Sequence, residues 1–96
     1  MKILAIEREL EGVSEEDFAP HLKAEARKIW ELQQSGRLRE IHFHRDKHVA
    51  VLVLECADEG EAQAILNELP LVQNGLIAFD LWPLTPYDGF ARLFAN

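Results

Sequence analysis

The sequence is poor in cysteine and in clustered positive charge, and each shortage excludes a class of protein. Its single cysteine, Cys56, cannot form a disulfide within the chain, so a reducing cytosol is the natural setting. The 10 Lys and Arg residues are scattered and outnumbered by 17 Asp and Glu residues, which gives a net charge of −7. Because phosphate binding relies on clustered basic side chains, we expect neither nucleic acid nor a membrane surface as a partner.

Long apolar runs are also missing. No window predicts a membrane span, and the start, MKILAIERE, lacks the apolar stretch and the small-residue cleavage site of a signal peptide. Hydrophobic residues make up 48% and charged residues 28%, a balance typical of globular rather than disordered chains. We therefore expect one cytoplasmic domain over residues 1–96, with a core small enough that a dimer interface would add needed stability.

The stretch 36–56 predicts a β-hairpin at the centre of the fold. Residues 49–54, VAVLVL, are apolar at every position, which predicts a strand buried on both faces. Residues 40–45 alternate instead, so one face is apolar and the other carries two histidines. The chain's own helices can cover one side of such a sheet. A second copy of the protein is expected to cover the other side.

The remaining segments complete the order βαββαβ. In chain order they are a strand at 2–8, a short turn at 14–18, a main helix from about residue 20 to Ser35-Gly36, a helix at 59–68 ended by Pro70, and a strand at 76–82. With right-handed crossovers, this order predicts an α+β, ferredoxin-like sandwich with a four-stranded antiparallel sheet. We expect its bare face to dimerise into an α+β barrel, and the tail 83–96 to dock on the body or on the partner subunit.

Several short motifs resemble muconolactone Δ-isomerase and its relatives. They are the run HLKAE at 21–25, Gly36, the apolar strand 49–54 and ELPLV at 68–72, and the likeness covers about residues 15–84. The resemblance implies a dimeric α+β barrel, sometimes assembled further into rings. It also implies a cofactor-free isomerase that moves a double bond in a small lactone by proton transfer.

A second likeness lies in the main helix. Pro20-His21-Leu22, with Val72 and Gly75 after Pro70, is similar to the YCII-related proteins of the same superfamily. That likeness implies a helix histidine working with an aspartate. The hairpin sequence HFHRDKH departs from the aromatic-and-glycine turn of the isomerase, so the substrate is not implied.

Histidines are the first candidates for proton transfer, because imidazole titrates near neutral pH without tuning. His42 and His44 share one face of a strand with Glu40, and this trio is the best cluster in the sequence. The alternative is a solvated or interface face of an edge strand; a metal site is a weaker third interpretation. His21 lies where the helix macrodipole favours a neutral imidazole, and Glu25, one turn on, is placed to orient its ring.

The other candidate site residues lie near the last strand and the hairpin. Asp80 interrupts an apolar strand, so it is paired, hydrated or functional; the alternative to a catalytic role is a salt bridge to Arg39 or to an arginine of a partner subunit. Trp82 and Trp30 are walls of a ligand pocket or, more simply, core residues. Our interpretation is a cofactor-free, metal-free isomerase-like protein for a small carbonyl or lactone compound. The alternative is a non-catalytic ligand-binding or assembly module with the same barrel.

Overall fold

A computed structural model describes residues 1–95 and has the predicted βαββαβ order. The strands are β1 (Lys2–Glu9), β2 (Leu38–Phe43), β3 (Ala50–Glu55) and β4 (Ile77–Pro83). The helices are α1 (Glu15–Phe18), α2 (Leu22–Gln34), α3 (Glu59–Leu66) and α4 (Pro70–Gln73), with 3₁₀ turns at Ala19–His21 and Gly89–Leu93. The sheet order is β2-β3-β1-β4 and all neighbours are antiparallel, which confirms the ferredoxin-like prediction.

The two faces of the sheet differ in burial. The face toward the helices carries the core, which includes Ile3, Ala5, Leu52, Leu54, Ile77 and Phe79. On the other face, Val51 and Val53 of the central strand β3 are only half-buried in the single chain. The all-apolar sequence of β3 predicted cover on both sides, and the chain itself supplies cover on one side.

Several element boundaries differ from the sequence prediction by one or two residues, and two differences have a clear physical reason. β2 begins at Leu38 rather than at residue 40, because a bulge between Leu38 and Glu40 lets Leu38 pair with Leu54 while keeping its side chain in the core. Pro70 was expected to stop the second helix, but it opens the short helix α4 at its first position. A proline fits there because its fixed φ suits a helix and no backbone N–H is required.

An ionic cluster and one core residue hold the C-terminal half of α2 to the body. Glu68 binds Lys28 Nζ at 2.9 Å through one oxygen and Arg37 at 2.9 Å through the other. These cations lower the pKa of Glu68, with Lys28 the larger cause, although burial of the carboxyl opposes them. Leu32 is the one fully buried side chain of α2. In the N-terminal half of the helix, Glu25 accepts a hydrogen bond from Leu71 N of α4.

The C-terminal tail leaves the body after β4. Pairing with β1 continues to Leu84, whose N–H donates to Lys2 O at 2.9 Å. Beyond it Tyr87, Phe90 and Phe94 are exposed, Phe94 by 84%, and the radius of gyration is 15.9 Å, against about 12.5 Å for a compact domain of this length. Docking of this apolar tail on a partner subunit stays a prediction; its last residue, Asn96, lies outside the described residues.

Across residues 1–95, the structure contains no helix with the length and apolar character needed to cross a membrane.

Candidate active site

A cavity of about 1160 Å³ lies between the helix-side face of the sheet and the N-terminal half of the α1–α2 region. Apolar side chains form most of its wall, among them Phe18, Ile29, Ile41, Leu52, Ile77 and Phe79. Its volume is slightly above the range of about 300–1,000 Å³ that is usual for small-molecule sites. The cavity opens to solvent and lies on the helix-side face of the sheet, and it is the candidate site.

The cavity exists because one face of α2 stands off the sheet. The helical spacing of apolar residues in α2 predicted one face that packs on the sheet, formed by Leu22, Ala26, Ile29, Trp30 and Gln33. That prediction was wrong for most of these residues. All five border the cavity, and Trp30 is 62% exposed. Ala26 of α2 and Ala50 of β3 both line the cavity. Because each side chain is only a methyl group, little side-chain volume is available to fill the gap between helix and sheet. Trp30, expected in the core, instead forms part of the cavity wall.

Glu7 is the buried polar residue of this wall. Strand β1 alternates, so Ile3, Ala5 and Glu7 all point to the helix side, and Glu7 is only 8% exposed. Its Oε1 accepts a hydrogen bond from the backbone N–H of Ala50 at 2.8 Å. Burial raises the pKa of the Glu7 carboxyl; the Ala50 N–H and His48 oppose this, and Glu9 adds to it. The carboxyl is thus fixed in place and biased toward its protonated form.

The second oxygen of Glu7 makes no hydrogen bond to the described part of the chain. Within residues 1–95, the hydrogen bond from Ala50 is the one bond that the Glu7 side chain accepts from the protein. No fully enclosed side-chain oxygen in this part of the chain lacks a partner. Oε2 therefore keeps some accessible surface, and Glu7 lines the cavity. A general acid or base needs this arrangement, with one oxygen held and the other open to a ligand.

Glu25 is the second carboxylate of the cavity. It lies one turn into α2, and its Oε1 accepts a hydrogen bond from Leu71 N at 3.0 Å, in the first turn of α4. Burial is the largest cause that raises the pKa of Glu25, the Leu71 N–H lowers it, and the charge of Glu7 raises it further. The sequence predicted Glu25 as a ligand-binding residue; the structure has it on the cavity wall, and the ligand-binding role stays a prediction. Its bond to Leu71 replaces the expected contact with His21.

His48 and Phe43 form an aromatic pair beside the carboxylates. Their ring centroids are 4.7 Å apart with planes inclined by 23°, and both rings line the cavity. The electrostatic influence of His48 on Glu7 places this imidazole near the buried carboxyl. Ile41 and Phe43 face the helices, as the alternation of β2 predicts. His48, which follows Asp46-Lys47 and was predicted to be a turn residue, does lie in the hairpin bend, and it is the histidine that lines the cavity.

The predicted pair His42 and His44 lies elsewhere. His42 is exposed on the open face of the sheet, where its ring is 3.2 Å from Glu40, the partner expected from the sequence. His44 accepts hydrogen bonds at Nδ1 from the backbone N–H groups of Asp46 and Lys47, at 3.0 and 3.2 Å. In the single chain, one histidine is therefore a surface residue and the other stabilises the hairpin turn.

Asp80 and Trp82 share the open face with His42 but belong to the opposite edge strand. Two strands separate β4 from β2, so the Asp80 and His42 backbones are about 14 Å apart. Asp80 pairs with Arg8 at 3.3 Å on the exposed surface. Trp82 is 57% exposed on that face. In one chain, these residues do not meet the histidines or the cavity.

Arg39 and His21 also lie away from the cavity wall. Arg39 Nε donates to Gly36 O at 2.6 Å, which ties the start of β2 to the end of α2. His21 ends the 3₁₀ turn and is the residue before α2, half-buried but not among the residues that line the cavity. Their roles as ligand-binding and catalytic residues stay predictions.

No group of three or more metal-binding side chains converges among residues 1–95. Cys56 is buried, and burial is the largest cause that raises the pKa of its thiol. A raised pKa disfavours the reactive thiolate. The carboxylates are therefore the chemically useful groups of the cavity.

Comparison with known proteins gives a structural match. No protein-family model matches the sequence, and no curated protein matches it. A solved structure of 5-chloro-2-hydroxyhydroquinone dehydrochlorinase from Burkholderia phenoliruptrix, in complex with 2,5-dihydroxybenzoquinone, is similar with a TM-score of 0.72. The match covers 93% of this chain and 98% of that one at 14% identity. What the two proteins share is the fold.

Glu7 and His48 are the residues that sequence reasoning missed. A signal for Glu7 was present, because a strict period of two from Ile3 and Ala5 places residue 7 on the buried face. The signal for His48 was weaker. His48 is exposed in the bend of the hairpin, and only the fold shows that this bend also borders the cavity.

Proposed function

We propose that this protein catalyses cofactor-free proton transfer on a small carbonyl or lactone compound held in the cavity, as an isomerase of the muconolactone type does. The observation that carries the proposal is Glu7, which is nine-tenths buried and lines a mostly apolar cavity, with one carboxyl oxygen bound by Ala50 N and the other free of hydrogen bonds from residues 1–95. A carboxylate in apolar surroundings is a stronger base than one in water, since its pKa is raised.

In the proposed step, Glu7 takes a proton from the carbon next to the carbonyl. The C–H bond breaks, the proton moves to Glu7 Oε2, and the electron pair is delocalised onto the carbonyl oxygen as an enolate. Glu7 then returns the proton to a different carbon, which shifts the double bond and restores the carboxylate. Glu25, whose pKa is also raised by burial, is proposed to donate a hydrogen bond from its protonated form to the enolate oxygen.

Glu7 replaces the predicted histidines in this proposal because of its position. His42, His44 and Asp80 face away from the cavity in the single chain. The similar dehydrochlorinase is named for its action on a small hydroxylated ring and was solved with such a ring bound. A compound of that size fits a cavity of about 1160 Å³. The likeness supports small-molecule chemistry in this fold.

The test is hydrogen–deuterium exchange in D₂O, followed by NMR. α-Angelica lactone and cyclohexanone, two small probes with acidic C–H bonds next to a carbonyl, are incubated with the protein and with buffer alone. We expect exchange or double-bond migration with at least one probe at ~100-fold or more above buffer, the lower end for a positioned general base. Probe binding without exchange would favour the alternative, a non-catalytic ligand-binding module.

We also propose that two copies pack their open sheet faces together in the cytoplasm. Val51 and Val53 are half-buried there, and Trp82 is exposed beside Leu4 of the neighbouring strand. An uncovered apolar sheet of this kind invites association. The exposed tail of each copy would gain cover from the same assembly.

A further inference from the structure

The charges on the cavity wall all have one sign. Within the described part of the chain, the lining residues include no lysine and no arginine. Five of them are glutamates: Glu7, Glu9, Glu15, Glu16 and Glu25. His48 is the sole other titratable side chain of the lining. An anion entering this space would meet five carboxyl groups and no fixed positive charge.

These glutamates form an inner and an outer group. Glu7 and Glu25 are the inner pair, with one oxygen of each bound to a backbone N–H. Glu9, Glu15 and Glu16 are exposed and form the outer group, and none of the three makes an ion pair within residues 1–95. A cluster of carboxylates at a surface is ordinary. Here the buried Glu7 lines the same cavity as the exposed glutamates, so the cluster extends from the surface to a buried carboxyl.

Aromatic rings accompany the outer carboxylates. Trp30 and Phe43 line the cavity and are both 62% exposed, so they lie where the cavity meets solvent. Phe18 lines the cavity beside Glu15 and Glu16 in α1. The faces of such rings attract cations, most strongly where water is partly excluded. Negative charge and aromatic faces thus favour the same kind of ligand group.

We propose that the cavity binds compounds that carry a positively charged amine, with the ammonium group held at the mouth by the outer glutamates and aromatic rings. This inference rests on the proposal that the cavity is the ligand site, and it names the substrate class as an amino ketone or amino lactone. The carbonyl end of the ligand reaches Glu7 and Glu25, while the charged end stays near solvent. This cationic substrate class differs from the anionic carboxylates that a lactone-acid isomerase would bind.

The test compares three probes that share a benzene ring and differ in charge. Benzylamine is a cation at neutral pH, benzyl alcohol is neutral, and benzoate is an anion. Calorimetric or NMR titration is expected to show benzylamine binding at least ~10-fold more tightly than benzyl alcohol, with benzoate weakest. Added salt should weaken benzylamine binding and leave benzyl alcohol nearly unchanged, because salt screens charge interactions at an exposed mouth.

A matched pair of variants separates local from overall charge. The double variant Glu15→Gln/Glu16→Gln should weaken benzylamine about tenfold and leave benzyl alcohol within about twofold. The control, Glu59→Gln/Asp88→Asn, removes two charges from exposed positions that do not line the cavity. It should leave both affinities unchanged.

Equal or tighter binding of benzyl alcohol or benzoate would overturn the inference, and so would an equal loss of benzylamine affinity in the control variant. Binding of none of the three probes would also overturn it. The outcome is independent of the exchange experiment. Exchange on neutral ketones without any preference for amines would leave the proposed reaction standing and remove the substrate class. A clear preference for amines without any exchange would support the inferred substrate class and remove the proposed reaction.

Discussion

Replacing Glu7 with glutamine is expected to abolish the proton exchange and, at neutral pH, to make the protein more stable. The loss of activity should be about 100-fold or more, since the general base is removed. The gain in stability follows from burial, because an ionised carboxylate in an apolar wall is costly and an amide of the same shape is less so. The amide oxygen of the variant side chain would still be placed to accept the Ala50 N–H.

The pH dependence has a definite sign. Burial raises the folded-state pKa of Glu7 above its unfolded value. The protonated carboxyl therefore favours the folded state at pH values below the unfolded pKa of about 4.3, and this contribution is lost as the pH rises through the folded pKa. Glutamine has no proton to lose. The variant should thus melt several degrees higher than wild type at neutral pH, with the difference shrinking in acid.

Thermal melts at several pH values and the D₂O exchange assay check both halves of this prediction. The control is Glu59→Gln, an exposed position on α3 away from the cavity, where we expect unchanged exchange and a stability change below about 0.5 kcal/mol. A Glu7→Gln protein that is destabilised at neutral pH would show that the carboxylate has a structural role. Full exchange activity in a well-folded variant would remove Glu7 from the mechanism.

The substitution Val51→Asp is expected to destroy the dimer or soluble expression altogether. Val51 is half-buried on the open face at the centre of the sheet, opposite Ile6 on one side and His42 on the other. If two such faces pack together, the new carboxylate lies between apolar layers without a partner. That costs several kcal/mol, against a total stability of about 5–15 kcal/mol for a domain.

Light scattering of the wild type should give about twice the 11.0 kDa of one chain at micromolar concentration. The control variant is Ala64→Asp, on an exposed position of α3, which should stay dimeric and soluble. A stable wild-type monomer would contradict the barrel. So would a Val51→Asp protein with wild-type melting, since it would show that this face of β3 is solvated in the native state.

The fold was predictable because its signals are local. VAVLVL, the helix end at Ser35-Gly36 and the alternation of β2 each depend on a few neighbouring residues, and the strand order then follows from connection rules. Pro70 shows the limit of local signals. A proline can end one helix or begin another; here α3 already ends at Leu66 and Pro70 begins α4, and only the chain path decides between the two.

The site was less predictable because it depends on what packing leaves empty. Nothing in the spacing of Trp30 along α2 shows that the helix face borders a cavity rather than the sheet. Glu25 was found through its position beside His21, whereas its observed partner, Leu71, is 46 residues away. The histidines were the first candidates because their acid–base chemistry can be recognised from the residue type alone, without knowledge of the fold. Burial changes an ordinary glutamate into a candidate base, and burial is a property of the fold.

The most direct test of the account is a ¹³C NMR titration of the side-chain carboxyl of Glu7, assigned by its loss in the Glu7→Gln variant. The account predicts that Glu7 titrates above the usual value of about 4.3 for a glutamate, because burial beside an apolar cavity disfavours its charge. Addition of benzylamine should move this titration, since a cation in the cavity favours the ionised carboxylate. A Glu7 carboxyl that titrates at or below the usual value, unmoved by any probe, would contradict the claim that this cavity is the functional site.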